Sequence, residues 1–213
     1  MYYNVFMNIF YTLHDKLYVN ITNRCSCACI FCIRKGSEGH GSADSLWLPH
    51  EPLLPEIKAA FDFERGQGGL DGMTEIVFCG FGEPMERADL VLECCEYFKA
   101  HSDLPIRLNT NGLVKLIHPD FDMARLSCFN SVSVSLNADD EAEYLRVTRP
   151  GFNADKLVQS PYAAMLSFAE TAKKYTAVSF TVVDVIGDER IENCRKISRD
   201  MDIPLKIRHF ITD

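Results

Sequence analysis

Long apolar runs are missing from the 213 residues: none approaches the roughly 18 that a transmembrane helix needs, so no membrane partner is expected. Basic charge is also short, since 22 Lys and Arg against 30 Asp and Glu leave a formal charge of −8. Nucleic-acid backbones are held by clustered cations, so no nucleic acid is expected as the main partner, although a local basic pocket stays compatible. The opening stretch, MYYNVFMNIFYTLHDKLYVNIT, lacks the basic region and small-residue cleavage site of a secretory signal. Repeats, low-complexity tracts and linkers are lacking as well. The length suits one domain, residues 1–213, read as soluble and cytoplasmic.

Cysteine, by contrast, is plentiful. Nine is an odd count, and Cys94 and Cys95 are adjacent, which is not the framework of a disulfide-stapled secreted domain; reduced, metal-binding thiols are expected instead. Cys25, Cys29 and Cys32 are spaced C-x3-C-x2-C inside Asn20–Arg34, with Phe31 just before the third. Three thiolates on one tight loop can hold three irons of a 4Fe–4S cubane and leave the fourth without a protein ligand. An open metal position is what a catalytic centre needs. A structural zinc loop is the competing reading of the same spacing. Cys27 offers a different triple, yet the small Ser26 and Ala28 beside it suit a loop that turns Cys27 away from the metal. Cys79, Cys94, Cys95, Cys128 and Cys194 read as packing residues.

Along the chain, Phe10–Leu13 and Leu17–Ile21 flank His14-Asp15-Lys16 as a hairpin or lead-in strand. Further strands are predicted at Glu75–Cys79, Ile106–Leu108, Ser131–Leu136, Val178–Val183 and Leu205–Phe210. Helices are predicted near Glu51–Phe61, Arg87–Lys99, Phe121–Leu126, Asp140–Arg146, Ala163–Lys173 and Glu189–Met201, and a loop over Gly36–Ser45. In Arg87–Lys99, Val91, Cys94 and Phe98 share one helical face. Strands alternating with helices give βαβ units and a parallel sheet. Six core strands fall short of the eight of a closed barrel, so the expected fold is α/β: a partial (β/α)6 TIM-like barrel built on an open six-stranded, mostly parallel sheet.

In such folds sites gather where the strands end, and polar or glycine-rich motifs follow each predicted strand. After the first comes the cysteine loop. After the second comes Phe78-Cys79-Gly80-Phe81-Gly82-Glu83-Pro84, whose glycines allow close backbone approach and whose carbonyls, with Glu83, suit an ammonium group. It also reads as an ordinary strand-to-helix turn. Asn109-Thr110-Asn111-Gly112 offers short polar groups for hydroxyls, in a sequence that is equally a common turn. Ser135-Leu136-Asn137 repeats the polarity. Val182–Gly187 supplies an apolar segment able to lie against a flat ring, or simply to pack in the core.

In this order the motifs resemble the radical S-adenosylmethionine (SAM) superfamily. Its C-x3-C-x-aromatic-C loop is matched by Cys25, Cys29, Phe31 and Cys32. Its G-G-E-P motif is matched by Gly80-Phe81-Gly82-Glu83-Pro84, with Phe81 in place of a glycine and one extra residue. The phrases LYVNITNRC, FCIR, DSLWL, EIVFCGFGEP, RLNTNG, SVSLNA and VVDVIG are most similar to the small TatD family-associated radical SAM proteins. The resemblance implies a 4Fe–4S cluster on Cys25, Cys29 and Cys32, with the open iron taking the amino and carboxylate groups of SAM. It implies Phe31 near the adenine, Gly80, Phe81, Gly82 and Glu83 around the ammonium, Asn109, Asn111, Ser135 and Asn137 at the ribose or carboxylate, and Val183 and Val185 along the adenine. Reductive cleavage of SAM would then yield a 5′-deoxyadenosyl radical that abstracts hydrogen from a substrate.

Arg149, Arg34, Arg208 and Arg146 are substrate candidates, each with surface ion pairing as its other reading. Trp47 caps the pocket or plugs the core, and His209 is the histidine best placed to take part. A small-molecule substrate, an electron donor of flavodoxin or ferredoxin type and a TatD-type hydrolase are the expected partners. Two other functions fit the same residues: an activating enzyme that makes a glycyl radical on a protein, and a non-catalytic zinc or iron–sulfur module.

Overall fold

The computed structural model describes residues 8–35, 41–153 and 157–210. Seven strands form one sheet in chain order: β1 (Phe10–Leu13), β2 (Lys16–Val19), β3 (Glu75–Phe78), β4 (Ile106–Thr110), β5 (Ser131–Ser135), β6 (Ala177–Val183) and β7 (Leu205–Arg208). β2 to β7 run parallel, as βαβ crossovers require. β1 folds back antiparallel on β2 through four residue pairs, from Phe10 opposite Val19 to Leu13 opposite Lys16. The sheet therefore has seven strands, not the six expected, because the lead-in segment pairs along its whole length instead of merely feeding β2.

The strands alternate. Leu17, Val19, Ile76, Phe78, Ile106, Leu108, Val132, Val134, Phe180 and Val182 enter the main core with the inward faces of the helices. Those helices are α1 (Leu54–Gly66), α2 (Ala88–His101), α3 (Val114–Ile117), α4 (Glu141–Thr148), α5 (Pro161–Ala172) and α6 (Asp188–Asp200). In α2 the predicted face is seated as expected, with Val91, Cys94 and Phe98 all fully buried. The opposite sheet face carries Lys16, Tyr18, Glu75, Arg107 and the serines of β5. Glu75 joins Arg107 through two bonds of 2.9 and 3.0 Å and Lys16 at 2.6 Å. The open sheet, parallel from β2 to β7 with helices between its strands, is that of a partial TIM-like barrel.

Helix predictions differ in two places. Phe121–Leu126 is not α-helical; a 3-10 turn, Met123–Cys128, stands there, started by the Asp122 carboxylate accepting from Ala124 N at 3.0 Å. α3 went unpredicted because four residues are too few to show a 3.6-residue period. Of the predicted Gly36–Ser45 loop, residues 36–40 lie outside the described residues, as does His40.

Candidate functional site

The chain leaves β2 at Asn20 and enters the cysteine loop at once. Three elements hold that loop. Its stem is tied to the 46–52 segment: Asn23 Nδ2 donates to Leu48 O at 2.7 Å and Asn23 Oδ1 accepts from Leu48 N at 3.1 Å. Glu51 accepts from Thr22 Oγ1 at 2.7 Å and pairs with Arg24 and Arg87 at 3.3 Å each. Its far side leans on the end of α4, where Ala28 N donates to Thr148 O at 3.0 Å, Ile30 N to Val147 O at 2.9 Å and Gly151 N to Ser26 O at 2.8 Å. Arg149 has φ 47° there, the left-handed geometry that ends a helix and exposes its last carbonyls. Below the loop, Tyr144 of α4 is buried, and that burial pushes its phenol well up.

The third support is the glycine-rich loop after β3. Glu83 N donates to Arg24 O at 2.8 Å. A Cβ on Gly82 would lie 2.2 Å from Thr22 O and 2.6 Å from Arg24 O, and one on Gly80 would lie 2.0 Å from Asn20 Oδ1. Only glycine lets the two loops approach this closely. Asn20 Oδ1 is buried without a hydrogen-bond partner among the described residues, while its Nδ2 donates to Leu46 O at 2.8 Å. Phe81 turns outward: it is 3% exposed, packs with Tyr11, Ala43 and Leu46, and meets Trp47 edge-on at 5.1 Å.

Glu83 is fully committed within the protein. Its carboxylate accepts from Thr110 Oγ1 at 2.7 Å, Asn111 N at 2.7 Å and Met85 N at 3.1 Å. Burial pushes its pKa up to about 7 despite those donors. It therefore fastens the β3 loop to the β4 loop. Asn111 continues the fastening, since its Nδ2 reaches Ser26 Oγ at 3.1 Å on the cysteine loop. Asn109 Oδ1 accepts from Arg107 at 2.7 Å. Asn137 is buried with φ 58°, Ser135 is half-buried at the end of β5, and Val183, the last residue of β6, and Val185 just beyond it are half-buried.

Cys25, Cys29 and Cys32 are half-buried and Cys27 is buried. Hydrogen bonding to the Cys25 and Cys29 sulfurs, with burial, pushes the Cys27 thiol up; the same contact with Cys27 lowers Cys29, helped by Arg34 and Lys35. Among the described residues no three Cys, His, Asp or Glu side chains converge as the cage of a single ion would require. Half-buried thiols, a lowered Cys29, glycine loops in backbone contact and an orphaned Asn20 Oδ1 form a donor set that fits a 4Fe–4S cluster with SAM beside it.

The substrate candidates scatter. Arg34 lies against Cys32 and Trp47. Arg149 and Arg208 are exposed, and Arg146 pairs with Glu143 at 2.5 Å. Trp47 is 46% exposed over the loop junction. His209 bonds Asp184 at 2.8 Å. Of the packing cysteines, Cys94, Cys95 and Cys194 are buried, whereas Cys79 sits half-exposed at the end of β3, its carbonyl accepting from Tyr11 Oη at 3.3 Å. Sequence reading missed Thr22, Glu51 and Tyr144, and took Thr110 only as part of a polar turn.

Residues 19–165 match the Radical SAM superfamily. Among curated proteins, the chain is 28% identical over 196 residues to the probable GTP 3′,8-cyclase of Methanocaldococcus jannaschii, covering 90% of this chain and 60% of that protein. It is 24% identical to the GTP 3′,8-cyclase of Thermodesulfovibrio yellowstonii, covering 92% and 56%. It is 25% identical to the probable dual-specificity RNA methyltransferase RlmN of Frankia casuarinae, covering 82% and 42%. The chain thus spans less than two thirds of these relatives' lengths. The solved structure of archaeal TYW1 overlays 96% of this chain and 69% of that one, with a TM-score of 0.51 at 14% identity, a likeness of fold.

Proposed function

Because the chain belongs to the radical SAM superfamily, whose members use a 4Fe–4S cluster and SAM, we propose that Cys25, Cys29 and Cys32 ligate that cluster and that the loops after β3 to β6 bind SAM. The observation that carries this reading is the docking of the cysteine loop on the glycine loop, with Gly82 seated against the Thr22 and Arg24 carbonyls. When bound, the pair supplies a reductively generated 5′-deoxyadenosyl radical that abstracts hydrogen from a substrate. The chain's own residues orient and enclose. Gly80 to Gly82 bring backbone carbonyls to the ammonium, Glu83 and Asn111 lock the surrounding loops, and Val183 and Val185 line the adenine. The open sheet offers its polar face to the substrate.

A purine nucleotide such as GTP is the first substrate class to try. Two relatives are named for GTP chemistry, and Lys206 and Arg208 stand on one face of β7, where they suit phosphates. A flavodoxin- or ferredoxin-type donor would deliver the electron. The cytoplasm suits nine free cysteines. Association with a TatD-type hydrolase rests on the sequence phrases alone. The test is to incubate reconstituted, reduced protein and SAM with ribose-deuterated GTP. Deuterium in the 5′-deoxyadenosine supports the nucleotide; SAM cleavage with no deuterium transfer removes it and returns the glycyl-radical alternative to the front.

A further inference from the structure

Phe81 is the chain's clearest departure from its family's glycine motif, and its surroundings explain it. The Phe81 ring is buried and meets Trp47 edge-on at 5.1 Å. The Arg34 guanidinium lies 5.9 Å from the centre of the Trp47 ring, within cation–π range. Its Nη1 donates to Asn23 O at 3.2 Å, and its Nε points at Cys32 Sγ, 3.4 Å away. A planar cation is therefore fixed on three sides, by a carbonyl, an indole face and a thiol. Phe81 fixes the indole in turn.

We propose that Arg34 is a positioning residue for the cluster: it hydrogen-bonds the Cys32 sulfur, offsets the cluster's negative charge, and is held in place by the Trp47–Phe81 pair. This rests on the assignment of the cluster to Cys25, Cys29 and Cys32. A hydrogen bond to a ligand sulfur and a nearby positive charge both favour the reduced, more negative cluster, and so raise its reduction potential. Arg34 thereby serves electron entry and is not free to grip a substrate. Lysine can supply charge but not the planar fork that satisfies carbonyl, sulfur and indole together.

The test is a potentiometric titration of the reconstituted cluster, followed by electron paramagnetic resonance, in wild type, Arg34→Met, Arg34→Lys and Trp47→Leu, with iron and sulfide content measured first. Arg34→Met is expected to hold the wild-type iron and sulfide but to be about tenfold less reduced at a fixed potential, a midpoint about 59 mV more negative for a one-electron couple. Arg34→Lys and Trp47→Leu should fall between the two. A midpoint in Arg34→Met equal to that of wild type overturns the proposal. If Arg34→Met does not retain four irons, Arg34→Lys and Trp47→Leu decide the matter, and wild-type midpoints in both overturn it. A wild-type protein that takes up no cluster instead overturns the ligand assignment beneath it.

Discussion

Replacing Glu83 by Gln isolates the one buried carboxylate that joins the two halves of the site. In the wild type one oxygen accepts from Thr110 Oγ1 and Met85 N, and the other from Asn111 N. An amide must turn its NH2 toward Met85 N or toward Asn111 N. Either way a backbone donor loses its acceptor, at about 1–3 kcal/mol. The carboxylate carries a cost that the amide lacks. Burial raises it from 4.5 to about 7, so its stabilisation is complete below the unfolded value and is lost as pH rises through the folded one. At about 1.4 kcal/mol per pH unit, wild type should lose about 2.5 kcal/mol between pH 5 and pH 8 on this account. The amide of E83Q does not titrate and has no such slope. Urea unfolding of the metal-free proteins, followed by circular dichroism, should find E83Q clearly weaker at pH 5, with the gap closed or reversed at pH 8. A gap equal at both values would refute the reasoning, since every other titrating group is common to both proteins.

The remaining expectations are briefer. Gly82→Ala places a methyl 2.2 Å from Thr22 O, so it should cost about 1–3 kcal/mol in urea unfolding and weaken SAM binding by calorimetry. Asn111→Ala removes the bond to Ser26, about 1 kcal/mol of net hydrogen bonding, and SAM affinity should fall about five- to tenfold. Cys29→Ala should lose the cluster by iron and sulfide analysis while Cys27→Ala keeps it; the reverse outcome would exchange their roles.

The strands were legible because their buried faces are aliphatic or aromatic at every second residue, as in Leu17 with Val19 or Ile106 with Leu108. The edge strand β1 was half legible: Phe10–Leu13 looked extended, but nothing local tells a lead-in from a paired edge. The candidate site was read from local signals, the cysteine spacing and the turn Gly80–Pro84. What holds them did not show. Glu83 finds Thr110 and Asn111 27 and 28 residues away, and Thr22 finds Glu51 across 29. Such partners are chosen by the fold and leave no periodic trace. Arg149 shows the same thing: its contact with the cysteine loop is made by its carbonyl, 3.2 Å from Ala28 N, which no side-chain pattern marks. Phe81, a flaw in the motif when read along the chain, is a packing residue when read in space.

The measurement closest to the central claim is SAM cleavage by the protein itself. The chain is reconstituted with iron and sulfide without oxygen, reduced with dithionite, given SAM, and assayed for 5′-deoxyadenosine beside a C25A/C29A/C32A variant. Formation of 5′-deoxyadenosine by wild type, absent from the triple variant, is the predicted result. A wild-type protein that retains zinc, takes up no cluster and leaves SAM intact would contradict the account.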